Sequence, residues 1–283
     1  MISINTNYGG LYAAKAAKSS QGLVDTAMER LSTGKRINYA KDDAAGQAIA
    51  VRLTAEIQGL AMAARNAADG QSLLDTAEGA LQETTSLLLR MRELAVQSSN
   101  GTLATADRVA LQAEAEALEL EITRIGETTT WGGLQLLDGT FSGTAGDAAI
   151  VFQAGTNSGE TIAVTIPEMT ISGHGLGAGT FSVGVSIGTF ADAQGAITLI
   201  DGALSGVNTV RGNLGAASNR LDSTIGNLNQ IRVNLMASKG RILDADFATE
   251  TGNLAKGQIL QQAATAMLAQ ANASKQTVLA LLQ

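Results

Sequence analysis

The residues predict a mainly α-helical protein with a small β part, on three observations. Small and apolar residues recur at alternating spacings of four and three along both ends of the chain, which is the heptad pattern of helices packed side by side. Aromatic residues make up only 3% of the 283 positions, and Pro167 is the only Pro. A Gly- and Thr-rich stretch from about residue 127 to 195 holds nearly half of the 32 Gly and interrupts the helical period. The expected architecture is a set of long antiparallel helices. Both chain ends are helical and expected to meet, with a β-containing middle inserted between them in sequence.

The first helix carries Ala13, Ala17, Ser20, Val24, Ala27 and Leu31 on one seam. It should stop between Leu31 and Thr33, with Gly34 in the left-handed C′ position. Lys35 and Arg36 then follow where the helix dipole favours cations. Asp42 or Asp43 can cap the next helix, which runs through "AIAVRLTAEIQGLAMAARNA". A break falls at "SSNGTLATAD": Asn100-Gly101 suits a turn, and Thr105 or Asp107 can cap a third helix. That helix has its own seam of Leu111, Ala115, Leu118, Ile122 and Ile125.

In "IVFQAGTNSGETIAVTI" two β-rich runs flank "AGTNSG", which reads as a hairpin near 150–166. Helical periodicity returns at about Asp192. The last seam is Leu260, Ala264, Met267, Ala271, Ser274, Val278 and Leu281, with Leu282 beside it. Because so many seam positions are Ala or Ser, these helices should approach one another closely. Neither end can cover its own seam, so the two ends are expected to meet.

Charge and composition exclude several classes of function. Between Arg124 and Arg211 there is no Lys or Arg but seven acids, and the remaining 19 acids balance all 19 basic residues. The net charge of −7 therefore sits in the middle, while neutral ends can pack against copies of themselves. No basic stripe exists for a nucleic acid. With no Cys and with His174 as the only His, thiolate chemistry and two-imidazole metal sites are ruled out. The Gly-rich "GHGLGAG" lacks the following Lys of a phosphate loop, and His174 within it is expected on an exposed loop. No catalytic residue, metal or cofactor is expected.

"MISINTNYGG" has no positive n-region and no apolar core, so a cleaved signal peptide is not expected. The 18 uncharged residues from 257 to 274 include five Gln and Asn, so membrane insertion is not expected either.

The chain nevertheless ends in "TVLALLQ". Burying an aliphatic side chain contributes about 1.5–3 kcal/mol. Ordering backbone costs roughly 1–2 kcal/mol for every residue fixed. Four aliphatics cannot hold a long terminal segment by themselves, so both ends are expected to order through contact with other subunits.

Six stretches resemble the bacterial flagellins in order and in length: "MISINTN", "LSTGKRINYAKDDAAGQAIAVRL", "LLRMRELAVQSSNGT", "FQAGTNSGETIAVTI", "NLGAASNRLDSTIGNL" and "RILDADFATETGNLAKGQILQQAATAMLAQAN". The resemblance covers both helical zones and the hairpin. It implies a structural subunit that self-assembles into the extracellular flagellar filament, with no enzymatic activity. Residues 1–40 and 244–283 would form the terminal coiled-coil filament-core domain. Residues 41–170 and 192–243 would form the helical shell, and 171–191 a short variable surface segment with no separate outer domain.

The resemblance further implies type III export without a cleaved signal, and an export chaperone, cap and hook-junction proteins as partners. Two departures stand out: the Pro usual near Ser274-Lys275 is missing, so the last helix should run on, and Gly240 replaces a usual Ser in the linker.

The family segment recognised by a Toll-like innate receptor corresponds here to Arg90, Leu94 and Glu114. The residues themselves read first as packing: Arg90 and Glu114 pairing between helices, and Leu94 packing between subunits. Two alternatives remain from the sequence: a hook–filament junction protein of the same superfamily, and a secreted helical ligand of host receptors.

Overall fold

The computed structural model describes residues 6–139, 149–167 and 185–280, with side chains described as far as 274. His174, Leu281 and Leu282 lie outside the described residues, as does the side chain of Val278. The described chain is mainly helical with two small antiparallel sheets. It divides into two compact units, residues 1–57 with 233–283 and residues 58–232.

In the first unit, helix α1 spans Tyr8–Thr33 and helix α5 spans Phe247–Ala280. Asn7 starts α1 by accepting the Gly10 N–H at 3.0 Å. Gly34 ends it with φ 69°, where a side chain would be strained. The chain after α1 then runs against the chain before α5: the Arg36 N–H donates to the Leu243 carbonyl at 2.6 Å, and the Ala245 N–H to the Gly34 carbonyl at 3.0 Å. Ile37, Ala50 and Leu243 close a small core there.

Asp42 and Asp43 divide the next task. Asp43 accepts the Gly46 N–H at 2.9 Å and caps helix α2, Ala44–Ser98. Asp42 instead accepts the N–H groups of Asn38 and Tyr39, so it fastens the preceding turn rather than the helix. Those backbone bonds, that of Tyr39 foremost, hold its carboxyl below the usual range. Asp246 opens α5 by accepting the Ala248 N–H and the Thr249 hydroxyl. With no Pro in it, α5 continues unbroken to Ala280, and helix α4, Phe190–Leu243, remains helical through Gly240.

The second unit is built on two long heptad seams, one on α2 and one on α4, whose residues share one core. Along α2 a buried seam runs through Leu60, Ala63, Ala67, Gly70, Leu74, Ala77, Leu81, Thr84, Leu88, Met91, Ala95 and Ser98 at alternating three and four, with Leu73 and Leu94 buried beside it. Along α4, Ala193, Ile200, Val207, Leu214, Leu221 and Leu228 recur every seven residues. Helix α3, Thr105–Thr128, adds Ala115 and Ile122 to this core, with Leu111 and Leu118 half-buried against it. Asp107 reaches back to the Ala104 N–H at its start, while Thr105 is the first helical residue.

A short hairpin follows α3: β1, Thr130–Trp131, pairs with β2, Leu134–Gln135, across Gly132 and Gly133, whose φ values are both positive. The sequence reading had no strands here. The larger hairpin pairs β3, Ala149–Gln153, with β4, Thr161–Thr165, so that Ile150 faces Val164 and Phe152 faces Ile162. It lies on α2, where Gly70 leaves room for the Phe152 ring; a Cβ there would come within 2.9 Å of it. Val185 and Ile187 belong to the same core. The Gln112 side chain accepts the Ile187 N–H at 2.6 Å and donates to the Val185 carbonyl at 3.2 Å, standing in for a strand neighbour.

Candidate assembly surface

The α1/α5 pair is antiparallel, and its seam is thin. On α1 the residues turned toward α5 are Gly10, Ala13, Ala17, Ser20, Val24, Ala27 and Leu31, all buried or half-buried. On α5 they are Glu250, Leu254, Gly257, Gln261, Ala264, Leu268 and Ala271. Small residues let the helices close in. A Cβ on Gly257 would sit 2.8 Å from Val24 Cγ2 and 3.3 Å from the Val24 backbone nitrogen.

Three polar rungs tie the pair together. Asn7 donates toward the Ala271 carbonyl and Asn272 Oδ1, at 3.4 and 3.3 Å. The Gln261 amide donates to Gln21 Oε1 at 2.6 Å. Arg30 donates to Glu250 at 2.8 Å, and the Glu250 side chain is only 8% exposed.

The seam of α5 is therefore rotated from the one read in the sequence. Ala264 and Ala271 lie on it, but Leu260 and Met267 do not, being 41% and 64% exposed. Gln261 and Leu268 occupy the neighbouring phase. A search for apolar spacing alone prefers Leu260; the structure prefers Gln261, because Gln21 satisfies its amide and Gly257 permits close approach on that side.

With the α1/α5 seam occupied mostly by small residues, several large apolar side chains are left outside. Leu11, Tyr12, Ile259 and Met267 are each more than 60% exposed, Tyr12 reaching 77%. Surface of this kind on a helix pair signals a missing partner.

The receptor-associated residues separate into two environments. Arg90 makes two hydrogen bonds to Glu114, at 3.0 and 2.8 Å, and a third to Glu93 at 2.9 Å, all at the surface. Leu94 is 1% exposed and belongs to the core of its own unit. In this chain it packs within its own unit, where the sequence led to an expectation of packing between subunits. It sits beside Ala95 of the α2 seam and is turned into the same core.

Among the described residues no group of three His, Asp or Glu is placed to hold a metal ion, and no helix is long and apolar enough to cross a membrane.

Comparison with known proteins fits this arrangement. Residues 4–142 match the family model of the bacterial flagellin N-terminal helical region, and residues 197–282 that of the C-terminal helical region. A flagellin of Halalkalibacterium halodurans is 44% identical over 281 residues, covering 99% of each chain. Flagellin A of Vibrio cholerae is 36% identical, with 100% of each chain covered. That alignment runs over 383 positions against 283 residues here, so the relative carries sequence with no counterpart in this chain. A putative flagellar hook-associated protein from Vibrio parahaemolyticus shares the fold, with a TM-score of 0.60 over 72% of this chain and 100% of that one, at 20% identity. The chain belongs to the bacterial flagellin family: it is a structural subunit of the extracellular flagellar filament, built to assemble with its own kind and not to catalyse a reaction.

Proposed function

We propose that the α1/α5 pair is the part of the subunit that packs against its neighbours in the filament, residues 1–40 and 244–283 acting as the core domain and the intervening helices and hairpin as the shell. One observation carries this reading: Leu11, Tyr12, Ile259 and Met267 stand exposed on a helix pair whose own seam is mostly Ala, Gly and Ser. Neighbouring subunits that bury these side chains would contribute about 25 cal/mol for each Å² of apolar surface removed from water. Ala13, Ala17, Val24, Leu31, Ala264 and Ala271 hold α1 to α5 in this reading, while Leu260 and Met267 serve contacts between subunits.

Assembly also orders the ends, so a dilute monomer exchanges its terminal amides quickly. An export chaperone covers the same surface before secretion, which proceeds without a cleaved signal, and cap and hook-junction proteins meet it at the two ends of the filament. On monomers, the exposed Arg90 and Glu114 are open to a Toll-like host receptor.

The test is seeded polymerisation followed by electron microscopy. The Ile259→Glu/Met267→Glu double variant should keep its helical content yet fail to extend filament fragments. Long filaments from that variant would overturn the reading.

A further inference from the structure

The turn joining α2 to α3 contains the only Asn-Gly pair in the chain, Asn100-Gly101. Both residues are exposed. Three features of the turn bear on the reactivity of the Asn100 side-chain amide. Its Oδ1 accepts the Thr102 N–H at 3.2 Å, which folds the side chain forward over the following peptide and polarises the carbonyl at Cγ. Among the described residues the Gly101 N–H has no hydrogen-bond partner, and Gly has no Cβ to shield that nitrogen. Nor does the leaving nitrogen, Nδ2, have a partner among the described residues, and Asn100 is exposed.

We propose that Asn100 is a site of spontaneous modification, converting through a cyclic imide to aspartate and isoaspartate with water as the only co-reactant. The Gly101 nitrogen attacks Cγ; the N–Cγ bond forms, the Cγ–Nδ2 bond breaks, and ammonia leaves with the Gly101 proton. Water then adds to one of the two imide carbonyls and opens the ring, with no oxidant or reductant involved. Opening at one carbonyl gives aspartate; opening at the other moves the main chain through the side-chain carbon.

The product matters because of Arg108, which holds the turn by donating to the Ser98 carbonyl at 3.0 Å and to the Asn100 carbonyl at 2.9 Å. Either product places a new carboxylate beside that guanidinium. The isoaspartate form also lengthens the backbone at the carbonyl that Arg108 grips, loosening the connection between α2 and α3.

Asn157-Ser158 supplies the internal comparison. It also sits in an exposed turn, but its Nδ2 donates to Glu160 at 2.9 Å, its side chain is drawn away from the next peptide, and Ser158 carries a Cβ.

The experiment is incubation of the purified full-length chain in mildly alkaline buffer. Peptide mass spectrometry and isoaspartyl methyltransferase labelling then follow exchange of NH2 for OH at each Asn. Asn100 should convert several-fold faster than Asn157, and Gly101→Ala should slow Asn100 by a similar factor. An added Cβ at 101 meets nothing within 4 Å and φ there is not positive, so the variant should melt like the parent. Equal or faster conversion at Asn157, an unchanged rate in Gly101→Ala, or an intact Asn100 where a short Asn-Gly peptide converts would each overturn the proposal.

Discussion

Arg30 and Glu250 lie 220 positions apart in the chain, yet the guanidinium donates to the carboxylate at 2.8 Å across the α1/α5 seam, where Glu250 is almost wholly buried. A second bond comes from the Asn253 amide at 3.2 Å. An Ala-rich seam looks much the same after a slip of seven residues, so polar partners fixed at one level give the pair a defined register. Removing the acceptor with Glu250→Ala should cost about 1.5–3 kcal/mol in the α1/α5 pair. The exchange Arg30→Glu with Glu250→Arg should recover most of the loss. Thermal melting followed by circular dichroism checks both; no recovery in the double exchange would assign the loss to packing.

The same pair sets a pH dependence. Burial pushes the Glu250 carboxyl up, but the bonds from Arg30 and Asn253 outweigh it, so the net value lies below the ordinary 4.5. A depressed carboxylate stabilises the folded form above its unfolded pKa and loses that contribution as pH falls through the lower folded value. The α1/α5 pair should therefore hold its melting temperature from neutral pH down to the ordinary Glu range and weaken below it. Glu250→Gln should flatten that part of the profile.

Two glycines of α5 should respond oppositely to Ala. At Gly252 a Cβ meets nothing within 4 Å, so Gly252→Ala should stabilise the helix by about 0.5–1 kcal/mol. At Gly257 the same change drives a methyl toward Val24, and overpacking of about 1–3 kcal/mol should cancel or exceed the helical gain. Melting curves of the two variants side by side decide it.

Leu94 and its charged neighbours should also part company. Leu94→Ala removes a fully buried side chain and should cost about 2–5 kcal/mol in denaturant unfolding. Arg90→Ala and Glu114→Ala remove an exposed pair and should each stay within about 1 kcal/mol. Receptor signalling by the charge variants then reports recognition and not loss of fold, whereas a Leu94 variant would confound the two.

Much of this was legible in the residues, because it depends on short-range chemistry. The end of α1 at Thr33 with left-handed Gly34, the cap at Asp43, the α1 seam from Ala13 to Leu31 and the β3–β4 hairpin each follow from a few neighbouring side chains. The β1–β2 hairpin lies outside the strands expected from the sequence, and its only local signal is Gly132-Gly133 between Trp131 and Leu134, which suits a tight two-residue loop. The long seam of α2 is hard to see in the sequence because more than half of its members are Gly, Ser, Thr or Ala.

Sequence alone thus settled the helical ends, the interposed β part, the neutral termini and the family, since periodicity, caps and turn residues act within a few positions of one another. Only the folded chain decided which side of α5 meets α1, that Leu94 is interior, and that Arg30 finds Glu250. Those choices depend on groups far apart in the chain arriving at the same depth and distance, where room for a methyl or a partner for an amide outweighs apolar spacing.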